Sequence, residues 1–135
     1  MKKIFFAVLL LAPFIMSSCN KNHDDNNSEG LTGQWKRTES YANEYWGAPF
    51  SWRGAEDGTG VTFTRDGKYY RNEAKAGPAL IGTYKIRSNH RIEIIATNAS
   101  SPTQSFGYDI DDVTNELILT YDITEGTTRE KFKRR

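Results

Sequence analysis

The chain from Leu31 to Arg135 predicts an all-β domain, an eight-stranded antiparallel up-and-down barrel. Three observations carry this. Apolar and polar residues alternate over short runs, the period of a half-buried strand. Turn signals separate the runs: Asp66-Gly67, Gly77-Pro78, Ser88-Asn89-His90 and Glu125-Gly126. No stretch shows a convincing helical period. An even meander of neighbouring hairpins closes naturally into a barrel, which removes the exposed edges of an open sheet. A two-sheet sandwich would use the same alternation and stays open as an alternative.

Leu31-Thr32-Gly33-Gln34-Trp35-Lys36 opens the folded part. Gly33 is expected to let the backbone pass close to a neighbour, and Trp35 to plug one end of the barrel. The first strand runs from Gly33 to Tyr41. From Gly60 to Arg65, Val61 and Phe63 share one face. Asp66-Gly67 makes a tight turn because both residues accept positive φ, and Lys68 to Asn72 returns with Tyr69 and Tyr70 on opposite faces. Ala74 to Ala79 reads as a loop. Leu80, Tyr84 and Ile86 then share one parity, with Gly82 where the strand can bend. Ile92, Ile94 and Ala96 face the core and Ile95 faces out. After the loop Thr97 to Thr103 come Phe106, Tyr108 and Ile110, then a turn over Asp111 to Asn115. Leu117, Leu119 and Tyr121 follow, and a last strand from Thr128 to Lys133 turns Phe132 inward. This inward set is apolar and aromatic, so the interior is expected to be greasy. A barrel of this size is either filled by side chains or holds one small ligand.

Residues 1–18 read as a leader. Met1-Lys2-Lys3 is basic, and Ile4 to Met16 is apolar apart from Pro13. That run is too short to span a bilayer as a helix but suits the h-region of a signal peptide. Ser17-Ser18-Cys19 resembles the lipobox of bacterial lipoproteins. The resemblance implies cleavage before Cys19, a diacylglyceryl thioether on its sulfur and an acylated amine. Each buried methylene would contribute about 0.8 kcal/mol, so two or three chains would anchor the protein stably. The other reading is an ordinary signal peptide with a free or buried thiol. As the sole cysteine, Cys19 excludes an intramolecular disulfide and a cysteine-cluster metal site.

Residues 19–30 complete the anchor. Asn20 to Gly30 contains no apolar residue and cannot offset the entropy of ordering, so it reads as a flexible tether. Asp24-Asp25 resembles the acidic tether of lipoproteins exported to the outer face of some Gram-negative outer membranes. An outer-membrane location is therefore expected, with the 31–135 domain exposed in the periplasm or at the cell surface. His23-Asp24-Asp25 has metal-ligating side chains, but nothing preorganises them. The chain holds 18 basic and 17 acidic residues. Losing Lys2 and Lys3 with the leader turns this excess of one base into an excess of one acid. No field of one sign gathers nucleic acid, so none is expected as a partner.

Gly33-x-Trp35 at the first strand, eight predicted strands and a basic tail resemble the lipocalin superfamily, and more closely the small bacterial lipocalin-like lipoproteins. The matching stretches are Leu31 to Trp35, Phe63-Thr64-Arg65-Asp66-Gly67-Lys68-Tyr69, Gly82-Thr83-Tyr84-Lys85-Ile86, Glu116-Leu117-Ile118-Leu119-Thr120 and Lys131-Phe132-Lys133. The resemblance implies a calycin-type barrel, small hydrophobic ligands, and an arginine covering the tryptophan. Arg129, Arg134 and Arg135 are the candidates, and nothing in the sequence selects one. The family's Thr-Asp-Tyr motif is absent near Asp109 to Thr114.

Ala42 to Asp57 is the main candidate for a site. It carries Tyr45, Trp46, Phe50, Trp52 and Arg53, with Gly47 and Pro49 for turns. Loops this long often serve as lids or binding surfaces, and tryptophan outside a core commonly finds an interface or ligand. The same aromatics can equally fold back to cap the barrel. Phe63, Tyr84 and Tyr108, with Val61, Phe106 and Leu119, are expected to line a ligand-holding interior that Trp46, Phe50 and Trp52 gate. Catalysis has little basis. His23 and His90 lack the partners of a nucleophile–base pair. Asp109, Asp111 and Asp112 lack the loop glycine of a calcium site, and Glu73 and Lys75 read as a solvated loop. The expectation is a membrane-anchored binder of a small hydrophobic or amphipathic molecule, without cofactor or metal. The alternative is an envelope interaction protein, with an inhibitor as a special case, that uses the 42–57 loop over a filled barrel and takes a protein or glycan partner. An enzyme would need a polar cluster inside the barrel.

Overall fold

A computed structural model describes residues 28–42, 47–55, 57–98, 100, 102–124 and 126–135. The leader, Cys19, the tether through residue 27, and Tyr45 and Trp46 lie outside the described residues, as do the expectations placed on them.

One helical turn, α1 (Ser28–Leu31), precedes nine strands among the described residues. These are β1 (Gly33–Ala42), β2 (Ser51–Gly54), β3 (Gly60–Phe63), β4 (Lys68–Glu73), β5 (Gly77–Arg87), β6 (Arg91–Ala96), β7 (Gln104–Asp111), β8 (Glu116–Ile123) and β9 (Gly126–Arg134). All pairings are antiparallel. From β3 to β9 each strand pairs with the next, and β1 pairs with both β3 and β9. Eight strands therefore close into a barrel, as the alternation predicts, and a ladder continuous around the wall distinguishes it from a sandwich. The ninth strand, β2, lies within the segment read as a long loop. It pairs with the second half of β1, Tyr41 opposite Trp52, beyond the point where β3 pairs with the first half.

Side chains at alternate positions meet inside. Leu31, Trp35, Val61, Phe63, Ile92, Ile94, Leu117, Leu119 and Phe132 are all at most 1% exposed. An aromatic chain crosses the interior. Tyr84 meets Phe63 edge-on at 5.1 Å, Phe63 meets Tyr69 at 5.0 Å, Tyr69 meets Phe106 at 6.2 Å, and Phe106 meets Tyr121 at 5.1 Å. Such offset and edge-on pairs add about 0.5–1.5 kcal/mol each beyond the area they bury.

Trp35 seals one end. Its indole Nε1 donates to the Leu31 carbonyl at 2.8 Å, so the one polar atom of the ring is satisfied. Arg134 is the tail residue that covers it, with Cζ 4.6 Å from the ring centroid, and its Nη2 donates to the Gly30 carbonyl at 2.5 Å. These two bonds hold α1 across the barrel end. The carboxyl end of the stretch read as a flexible tether is thus an ordered turn. What orders it is non-local: Arg134 lies 104 residues further along the chain.

Three local expectations change. At Gly33 no neighbour comes within 4 Å of where a Cβ would stand, and the requirement is instead a φ of 143°. The close approach belongs to Gly60, where a Cβ would lie 2.5 Å from the Trp35 carbonyl oxygen. β5 begins at Gly77, so the loop expected over Ala74 to Ala79 is shorter. Leu80 faces out and is 42% exposed, because a register shift opposite Tyr69/Tyr70 breaks the parity it would share with Tyr84. A bulge reverses facing in this way without any change in composition.

Trp35→Ala is expected to destabilise the domain by about 3–5 kcal/mol in denaturant melts. Arg134→Ala should cost only about 0.5–1 kcal/mol, the worth of a solvent-exposed cation–π contact.

Candidate functional site

The inward parity continues past the aromatic layer, but the residue types change. On β1, Arg37 follows Trp35 by two; on β4, Arg71 follows Tyr69; on β8, Tyr121 follows Leu119; on β9, Glu130 precedes Phe132. Antiparallel pairing brings these positions to the same end of the barrel, opposite the Trp35 plug. They converge on Glu130, which is 7% exposed. Arg37 Nη1 donates to its Oε1, Arg71 Nη2 donates to the same oxygen at 3.3 Å, and the Tyr121 hydroxyl donates to Oε2 at 2.9 Å.

Burial pushes the Tyr121 and Tyr69 phenols above their ordinary range, so both remain protonated donors at neutral pH. Burial opposes the charge on Arg71, but the Glu130 carboxylate together with the Tyr121 and Tyr69 phenols outweighs it and holds the guanidinium charged.

A second carboxylate reaches Arg37 from the rim. Asp57, in the bend between β2 and β3, accepts from Arg37 Nη2, and its Oδ1 accepts the Thr59 backbone N–H at 3.0 Å. That backbone bond, and after it Thr59 Oγ1 and Arg37, draws the carboxyl down to about 2. Two backbone bonds fix the bend: Ala55 N to Thr38 O at 2.9 Å, and Arg37 N to Thr59 O at 2.9 Å.

Two cavities open at this mouth. One of about 390 Å³ is lined by Arg37, Thr59, Arg71, Glu73 and Lys75. The other, of about 240 Å³, is lined by the apolar Leu80, Ile81, Ile94, Ala96 and Pro102 and the polar Thr97, Asn98 and Gln104. The first falls within the range of small-ligand clefts, about 300–1,000 Å³. Charged donors thus border one cavity and a mixed apolar and uncharged lining borders the other.

The residues singled out from the sequence do not assemble into one site. Phe63 is fully buried and Tyr84 is 7% exposed, its hydroxyl donating to the Thr64 carbonyl at 2.9 Å. With Val61, Phe106 and Leu119 they pack into the core of the barrel. Tyr108 is half-buried near the plugged end, 5.6 Å from the His90 ring, and borders a cleft of about 220 Å³ with Gly30 and Asp112. Asp111 accepts the Val113 and Thr114 backbone N–H groups at 2.8 and 3.1 Å, which caps its turn.

Phe50 and Trp52 lie on the outer wall. They stack against Tyr41 at 5.7 and 5.5 Å, and Lys131 Nζ stands 4.7 Å over the Trp52 ring. The cause is register. Tyr41 pairs with Arg129 and Glu39 with Lys131 on the outside, so Trp52 opposite Tyr41 faces out as well. By the same count Arg53, opposite Ser40, turns to the interior, where its Nε is buried. Arg37, Arg71, Tyr121 and Glu130 were overlooked as a group. The signal that finds them is the alternation itself, carried one step beyond each inward aromatic.

In comparison with known proteins, no family model and no curated protein matches the chain. The geometry defines a closed eight-stranded antiparallel barrel, compatible with a lipocalin-like fold. It is a barrel of the kind that can hold a ligand, packed at one end and polar at the other.

Glu130→Ala leaves two half-buried guanidinium groups without their shared partner and is expected to cost about 3–5 kcal/mol in denaturant melts. Tyr121→Phe should cost about 1.5–3 kcal/mol, the worth of a hydrogen bond to a charged group. Asp57 has a depressed pKa, so its contribution is complete above its ordinary value and disappears as pH falls through about 2. Carboxyl carbon shifts followed by NMR should show that midpoint.

Proposed function

We propose that the chain is a membrane-anchored, lipocalin-like binding protein, not an enzyme, that takes a small amphipathic ligand at the mouth of its barrel. One observation carries the reading: an arginine-lined cavity and a cavity with Ile81, Ile94 and Ala96 on its lining lie toward the same end. Ile81, Ile94 and Ala96 would receive an apolar portion, and the Arg37–Arg71 side a polar one. Removing about 200 Å² of apolar surface from water is worth about 5 kcal/mol. Alone that corresponds to a Kd of about 10⁻⁴ M, so a polar anchor worth about 1.5–3 kcal/mol is what brings so small a ligand toward micromolar affinity. The anchor on Cys19 would hold the domain at the outer membrane through the 19–30 tether. The reading as a non-enzyme rests on the engagement of the interior carboxylate: Glu130 already meets three donors.

A second reading has its own support. The outer-wall ladder of Phe50, Tyr41 and Trp52, with Arg129 and Lys131 over its rings, is an aromatic and cationic face of the kind used against a protein or glycan.

Titration of the full chain with fatty acids, retinoids and bile-acid-like compounds, read by tryptophan fluorescence and calorimetry, should give saturable binding to at least one class. No response across the panel would sink the mouth reading and leave the outer wall. For the anchor, Cys19→Ala should release the protein from membranes in cell fractionation, and a variant that stays membrane-bound would refute lipidation there.

A further inference from the structure

We propose that the arginine side of the mouth is a subsite for the carboxylate of an amphipathic acid, and that Asp57 occupies it as a built-in competitor. This rests on the mouth reading above and names the ligand's chemistry.

Arg37 holds two carboxylates of different standing. Glu130 belongs to the wall: it comes from β9, its side chain is 10% exposed, and Arg71 and Tyr121 bind it as well. Asp57 comes from the bend, and its side chain is 49% exposed. Its bend is fixed on either side by backbone bonds at Ala55 and Thr59. The carboxylate can therefore leave Arg37 by side-chain rotation, giving up its Thr59 N–H bond as well, while the backbone bonds at Ala55 and Thr59 keep the bend.

Charge makes that exchange specific. Around the larger cavity stand Arg37, Arg71 and Lys75, against Glu73 on the lining and the two carboxylates paired to Arg37. With Asp57 in place, three positive charges face three negative. With Asp57 turned away, one positive charge is uncompensated beside a guanidinium that is 17% exposed. Arg37 keeps its pair with Glu130 through Nη1, and the Nη2 that Asp57 vacates is the donor open to a replacement carboxylate. Guanidinium and carboxylate match in geometry as well as charge. Arg37 retains capacity for such a partner, because its buried Nε meets no hydrogen-bond acceptor among the described residues. Arg71, 32% exposed across the same cavity, offers a second cation. The apolar part of the second cavity, Ile81, Ile94 and Ala96, lies toward the same mouth for the chain of the acid.

Asp57→Asn isolates the charge, since asparagine also accepts the Thr59 N–H in this kind of turn. The experiment is calorimetric titration of the full chain, wild type and Asp57→Asn, with dodecanoate and with dodecanol below their aggregation concentrations. The expected result is that wild type prefers dodecanoate, and that Asp57→Asn binds dodecanoate about tenfold more tightly with dodecanol unchanged. Arg37→Gln should abolish the preference. If that variant fails to fold, Arg71→Gln should reduce the preference instead. Equal binding of acid and alcohol, or no gain in Asp57→Asn, overturns the carboxylate subsite and leaves the mouth reading standing. Failure of both probes to bind any folded variant overturns the subsite as well, and it then counts against the mouth reading itself.

Discussion

The ladder between β1 and β9 is the constraint from which the other features follow. Once the last strand pairs with the first, the eight-stranded ladder closes, short β2 stays an edge on β1, and the inner face encloses a fixed space. A barrel of this strand number is just wide enough for side chains to fill. Every second residue of eight strands must then fit the same interior, and a register error on one strand exposes its whole apolar set. The join carries its own irregularity between Arg37 and Glu39. That step leaves Arg37 and Ser40 facing in and turns Glu39 and Tyr41 out, so the charged mouth and the aromatic outer wall both follow from one bulge.

The interior divides by depth. Toward the plug, Trp35, Leu31 and Phe132 pack without exposed surface, and Arg134 ties the tail to the turn that precedes β1. Burial of this kind is the main favourable term in folding. Toward the mouth, the interior positions hold Arg37, Arg71 and Glu130, whose removal from water opposes folding. Tyr69 and Tyr121 stand between the layers. Their rings belong to the aromatic chain, while the Tyr121 hydroxyl reaches the Glu130 carboxylate.

Much of the architecture was legible because strand alternation is a local signal. Val61 with Phe63, Ile92 with Ile94, and Leu117 with Leu119 each declare an inner face by spacing alone. Leu80 was not legible, since the bulge that turns it outward depends on how β4 and β5 align. β2 was hidden for a related reason: Ser51 to Gly54 is short and becomes a strand by pairing with Tyr41 and its neighbours. That pairing also decides that Trp52 faces out and Arg53 faces in, which no feature of the loop announces. Arg134 over Trp35 is a contact between opposite ends of the domain, and the basic tail by itself offers three equivalent choices. The polar mouth was within reach of the sequence, because Arg37, Arg71, Tyr121 and Glu130 each keep parity with an inward apolar residue. What hides them is the expectation that an inward charge is an error.

That expectation is where the physical argument turns. Replacing a buried arginine–glutamate–arginine group by apolar residues of similar volume is often neutral or stabilising. Leucine or phenylalanine at the same positions would extend the aromatic core through the whole barrel and close its mouth. The charged layer therefore sets the level at which the core stops. Above that level it leaves a water-accessible space edged by fixed donors, and it does so at a cost in stability that a purely structural barrel has no reason to bear. Donors held by a rigid wall lose little freedom on receiving an anion, and the one group that must move to admit it is the Asp57 side chain. The division of the interior, with Arg37 and Arg71 at the level where the core stops, is the physical ground on which the proposed mouth site rests.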